Sequence, residues 1–123
     1  MAMLDGEVSF NFTNQSIAAG ATFLPLDGWQ YEFAPQNCRI EVLVRSVTTG
    51  ILLTLTSAGR TLVQESGVNA GGTAGTLPAV FNTPLIAGRV NATERIRLAL
   101  RNTSGGAIVV DGTVTLIPVR GRR

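Results

Sequence analysis

The chain of 123 residues is one domain by length, long enough to bury roughly two thirds of the surface that its unfolded form exposes. Its one cysteine, Cys38, excludes an internal disulfide scaffold, and the absence of histidine removes the usual base of serine and cysteine nucleophiles and the commonest zinc ligand. All ten basic residues are arginine; three of them, Arg120, Arg122 and Arg123, stand in the last four positions, and without them seven arginines face eight acids, so the body carries no excess of positive charge to bind nucleic acid.

The opening MAMLDGEVSF has neither the basic region nor the long apolar run of a signal peptide, and the mature protein is expected to start near Met1. In EVSFNFT, Val8, Phe10 and Phe12 alternate with Glu7, Ser9 and Asn11, which predicts a half-buried strand. Residues 1–16 are expected either to pack as this first strand or to extend as an arm onto a neighbour, with residues 17–119 forming the folded domain. WQYEF alternates Trp29, Tyr31 and Phe33 against Gln30 and Glu32 and predicts a second strand. CRIEVLVRSV sets Cys38, Ile40, Val42 and Val44 against Arg39, Glu41 and Arg45, and with ILLTLTS beyond the Thr49-Gly50 turn it reads as an antiparallel pair. RTLVQE follows the Ala58-Gly59 turn as a shorter strand.

The glycine-rich GVNAGGTAGTLP, residues 67–78, resembles a phosphate cradle but lacks what one needs. A P-loop requires a lysine and a following helix, whereas this chain has no lysine, and Pro78 with the β-branched residues after it keeps the backbone extended. No cofactor is expected. The stretch predicts a surface loop whose Gly71 and Gly72 allow a partner's backbone to approach closely. Further on, Pro84 breaks AVFNTPLIAG, which suits a short or edge strand. ERIRLALRN turns Ile96, Leu98 and Leu100 inward between Arg95, Arg97 and Arg101. After the turn at Ser104-Gly105-Gly106, AIVVDGTVTLIPV predicts one long strand that stays in phase through Asp111-Gly112. Residues 120–123 form a basic tail that is expected to be peripheral to the fold.

Short alternating strands separated by turn signals predict an all-β fold, an antiparallel two-sheet sandwich of jelly-roll-like layout. With histidine absent, only carboxylates remain for acid-base chemistry. Glu32 and Glu41 could pair across a sugar bond as in a glycosidase, but both alternate with apolar residues as ordinary solvent-facing positions do, and no enzyme activity is expected. The arginines Arg95, Arg97 and Arg101 project from one strand and Arg39 and Arg45 from another. They form either a solvated face with Glu41 and Glu94 as countercharges or an interface, where the planar guanidinium makes bidentate contacts. The sequons at Asn11, Asn14, Asn91 and Asn102 read as strand and turn residues. Charged residues make up 15% of the chain where about 25% is typical, which leaves apolar surface best covered by assembly with other copies or proteins.

In CRIEVLVRSVTTGILLTLTSAGRTLVQE, the loop GVNAGGTAGTLP and ERIRLALRNTSGGAIVVDGTVTLIPV, about residues 38–119, the chain resembles the small β-sandwich decoration, or cement, proteins of tailed bacteriophage capsids. The resemblance lies in short alternating strands, Gly/Thr/Asn turns and the lack of a catalytic set. It implies a homotrimer on the virion surface, made in the host cytoplasm, that bridges capsomers of the major capsid protein, with no membrane partner. Phe10, Phe12 and the strand-face arginines are the expected contacts. The alternative is a carbohydrate-binding or receptor-binding module of a tail or head fibre, which requires exposed rings for stacking. Trp29 and Tyr31 are the candidate rings, and their shared predicted face places them in the core.

Overall fold

A computed structural model describes residues 6–70 and 86–119. Among these, nine strands and no helix form two sheets: β1 (Val8–Ile17), β2 (Thr22–Phe23), β3 (Cys38–Ser46), β4 (Ile51–Ser57), β5 (Arg60–Gly67), β6 (Asn69–Ala70), β7 (Ile86–Val90), β8 (Ile96–Asn102) and β9 (Ile108–Pro118). The first sheet runs β1-β9-β3, and the far side of β3 is shared by β7 and the two-residue β6; the second runs β2-β8-β4-β5. All pairings are antiparallel except the short one between β3 and β6. Apart from the β4–β5 hairpin and the β6–β7 connection, each strand is followed by one in the other sheet. This alternation is the winding of a jelly roll.

The cause is the period-two pattern. Ile40, Val42 and Val44 of β3, Val110, Val114 and Leu116 of β9, Leu53 and Leu55 of β4, and Ile96, Leu98 and Leu100 of β8 are all buried, and along each strand outward residues separate them. β9 is central, with Val114 opposite both Phe10 and Val42. The strand runs unbroken through Gly112, because that glycine lies opposite Phe12 and gives its ring room: a Cβ there would stand 2.3 Å from Phe12 Cζ. β4 and β5 join through Ala58 and Gly59, both at positive φ, as a two-residue turn matched to strand twist demands. Cys38 is 1% exposed in this core, and burial pushes its thiol pKa up.

Three expectations are corrected. β3 and β4 do not pair; they lie in opposite sheets and face each other across the core, since each has its own buried stripe to cover. Residues 47–50 form the corner between them, where Gly50 adopts φ 126° beside Ile108 and Ser104. WQYEF is not a strand. Its amides are spent on local turns, Trp29 N–H donating to Leu26 O and Glu32 N–H to Trp29 O, with Gly28 at φ 87°, and only Phe33 bridges to Arg95. Trp29 and Tyr31 nevertheless pack against the core, their rings edge to face at 5.4 Å.

The third correction concerns Arg45, which is 7% exposed and stands opposite the buried Asp111, not on a solvated face. Asp111 also accepts a 2.9 Å bond from Asn14 N–H, where Asn14 takes φ 53° at the irregularity in β1. Residues 8–16, read as strand or arm, lie in β1 and pair with β9. No helix among the described residues is long and apolar enough to cross a membrane.

Candidate functional site

The outer face of the β2-β8-β4-β5 sheet gathers the arginines that alternation turns away from the core. Arg95 stands at the head of β8, and Arg97 and Arg101 lie on the strand itself. Their counterions come from elsewhere in the chain. Arg95 holds Glu32 at 2.5 Å and Asp27 at 3.7 Å, Arg97 reaches the same Asp27 at 3.4 Å, and Arg101 is paired with Glu65 of β5. The three guanidinium side chains stay 41 to 45% exposed, so each pair alone is worth roughly 0 to 1 kcal/mol, but the shared Asp27 ties two neighbouring forks together.

The turn that displaced the expected WQYEF strand builds this site. Gly28 N–H donates to Glu32 Oε1 at 3.0 Å while Glu32 Oε2 takes the Arg95 guanidinium, and those contacts, the backbone bond first, hold the Glu32 carboxyl below its usual pKa. Phe33, two residues beyond Tyr31, is the odd ring out: it is 53% exposed, with the Arg95 guanidinium 6.0 Å from its centroid. Along the same face, Thr56, Ala58, Gly59, Arg95 and Arg97 line a shallow groove of about 270 Å³. Arg97 Nε is buried and has no acceptor among the described residues.

Glu94, expected as a countercharge to these arginines, turns the other way. Its Oε1 accepts from Arg60 and Ser57, both at 2.8 Å, and from Asn91 N–H at 2.9 Å. Arg60 first, then Asn91 and Ser57, lower its pKa to about 2. A carboxylate depressed on folding from about 4.5 contributes stability that is fully present above that value and lost as pH falls toward 2. Glu94→Gln is therefore expected to flatten the acid limb of a melting-temperature profile between about pH 4.5 and pH 2. An unchanged acid limb would show that these bonds do not survive in solution.

The remaining expected contact residues are dispersed. Phe12 is 5% exposed and belongs to the core, and Phe10 is half-buried between Phe12 and Trp29 at 6.4 and 5.6 Å, because β1 turns its aromatic stripe inward. Arg39 is exposed on the outer face of the other sheet, 3.1 Å from Glu41. Gly71 and Gly72, and the tail from Arg120, lie outside the described residues. Glu32 and Glu41 are each bound to a different arginine, Glu32 in the turn before β3 and Glu41 on the outer face of β3, and do not form a carboxylate pair across a cleft. No cluster of histidine, cysteine and acid residues among the described residues could hold a metal ion.

No known protein family matches this sequence, and no curated protein does. Among solved structures, the chain is similar to the C-terminal CBM6 of LamC, a marine laminarinase from Zobellia galactanivorans, at 18% identity and TM-score 0.44, over 89% of this chain and 98% of that one. It is similar to the infectious bursal disease virus VP2 subviral particle protein at 16% identity and TM-score 0.39, over 93% of this chain and 33% of the viral one. The tobacco streak virus coat protein, solved as a dimer, follows at 6% identity and TM-score 0.34, over 100% of this chain and 94% of that one. The neighbours thus include viral capsid proteins and a carbohydrate-binding module. Likeness this distant is one of strand layout and assigns no function.

Proposed function

We propose that this protein is a non-enzymatic virion structural protein, a homotrimer that docks on the outside of a tailed-phage capsid and stabilises it by bridging capsomers of the major capsid protein. Jelly rolls serve both capsids and lectins, so the fold leaves the choice to the site. The observation that carries the reading is the outer face of β8: Arg95, Arg97 and Arg101 held by Asp27, Glu32 and Glu65, with the exposed Phe33 beside Arg95. Arginine and aromatic rings are the residues that concentrate binding energy at protein interfaces, and a fork already fixed by a carboxylate loses little freedom on docking. A saccharide platform needs rings with free faces, whereas Trp29 and Tyr31 pack on each other and against the core, which among the described residues leaves Phe33, with Arg95 6.0 Å from its centroid, as a single exposed ring on this face.

Stabilisation follows from linkage. A protein that binds the assembled shell but not its dispersed subunits favours the shell by about 2.7 kcal/mol at a hundredfold excess over Kd, and a trimer engaging several capsomers raises the effective concentration at its later contacts. Added to capsids that lack it, the protein is expected to bind saturably and raise their resistance to heat. Phe33→Ser should weaken that binding about tenfold or more, as loss of an interface anchor does, with the isolated protein's stability shifted by no more than about 0.5 kcal/mol, as at other surface positions. Capsids equally heat-resistant with and without the protein would reject the role. Binding to a soluble β-glucan that Phe33→Ser abolishes would select the carbohydrate reading in its place.

A further inference from the structure

On the outer face of the other sheet, antiparallel β3 and β7 place Arg39 directly opposite Arg89. Facing side chains in such a pair stand about 4.5–5.5 Å apart at Cβ, and like charges there repel. The conflict is relieved locally at only one of the two arginines. Arg39 has Glu41 at 3.1 Å, but no carboxylate among the described residues forms a salt bridge with Arg89, although Arg60, Arg95, Arg97 and Arg101 each have one. The opposed pair borders a cleft of about 300 Å³, lined also by the small residues Ala87 and Gly88 of β7 and by Val119. The sequence continues from Val119 directly into Arg120, with Arg122 and Arg123 following.

We propose that this cleft is a docking point for an acidic side chain on the surface of a partner protein. A carboxylate entering between the two forks would accept charge-assisted bonds from both and remove the repulsion that the folded chain leaves in place. The cleft's volume admits such a side chain with its stem. A nucleic-acid strand fits less well, because its phosphates need a row of cations along a groove, and the body outside the tail carries one more acid than arginine. That the partner is a capsid protein rests on the function proposed above; the carboxylate chemistry does not.

The test titrates the full chain with a fluorescent hexaglutamate peptide, with hexaglutamine and with an oligothymidylate of equal length. Hexaglutamate should bind and hexaglutamine should not. Arg39→Gln/Arg89→Gln should weaken hexaglutamate binding about tenfold, as loss of charge-assisted hydrogen bonds does. Ala87→Leu, which fills the cleft and leaves both charges, should weaken it as well. The basic tail is present in every variant, so undiminished binding by the double variant would assign the peptide to the tail and overturn the cleft. Failure of the parent to bind hexaglutamate, or tighter binding of the oligothymidylate that is lost in the same variants, would overturn it too. Capsid binding by the same variants separates the two proposals: shells bound equally by parent and double variant sink the cleft alone, whereas a cleft that takes the peptide on a protein that ignores shells sinks the capsid role alone.

Discussion

Gly112→Ala is expected to destabilise the protein by about 1–3 kcal/mol or more, the usual cost of adding a methyl to a packed core. The reason is steric and local. Gly112 lies on β9 opposite Phe12, and an added Cβ would meet three ring carbons at 2.3 to 2.9 Å, where no real contact is so short. The ring cannot step aside freely, being flanked by Phe23 at 5.7 Å and Phe10 at 6.4 Å. Phe12→Ala alone should cost about 3–5 kcal/mol through the cavity it leaves. In the Phe12→Ala background, however, Gly112→Ala should add little, because the atoms it struck are gone. Urea denaturation of the four proteins measures this coupling. Strictly additive losses would show that the ring and the glycine do not constrain each other.

Asn102→Leu is expected to be as damaging, about 3–5 kcal/mol, because it leaves several buried polar groups without partners. Asn102 is 0% exposed, and both ends of its amide are fully engaged. Nδ2 donates to Ile17 O and Gly106 O at 2.8 Å, and Oδ1 accepts from Ser104 N–H and Ser104 Oγ, also at 2.8 Å. One side chain of the β8 sheet thereby holds the end of β1 in the other sheet and shapes the turn into β9. Its sequon cannot act as an acceptor in the folded chain. Hydrogen exchange should show the loss first at the Ile17 end of β1 and in residues 103–106. A variant that melts and exchanges like the parent would mean that the introduced leucine finds compensating packing the structure does not provide.

Alternation made much of the fold legible. The buried stripes of β3, β8 and β9 stand where the pattern puts them, and the turn residues Ala58-Gly59 and Ser104 to Gly106 turn the chain. Pattern alone does not say which sheet a strand joins, so β3 and β4, adjacent in sequence with matching stripes, looked like a hairpin when they are opposite walls of the core. In residues 29–33 the aromatic period was real but the backbone was not extended, because Pro25 and Gly28 direct this segment into turns. The arginines of β8 were visible as a row. Their partners were not, since Asp27 and Glu32 arrive from a loop more than sixty residues earlier in the chain and only the fold brings them to Arg95 and Arg97. The burial of Arg45 has the same origin: its cross-strand neighbour Asp111 is remote in sequence.

The central place of β9 in its sheet has a temporal side. Both of its neighbours, β1 and β3, are synthesised earlier, with Val8 awaiting Leu116 and Val42 awaiting Val114. On the ribosome those two strands therefore emerge with ladder groups that nothing native can yet satisfy, and the first sheet closes only when the strand that belongs between them appears. A fold so wired is slow for its size, since distant segments must meet before local contacts are rewarded. The nascent chain is then most open to wrong pairing through β1, whose ten residues VSFNFTNQSI contain no charge to repel a second strand. Nascent β3 is better guarded, with Arg39, Glu41 and Arg45 spaced along it.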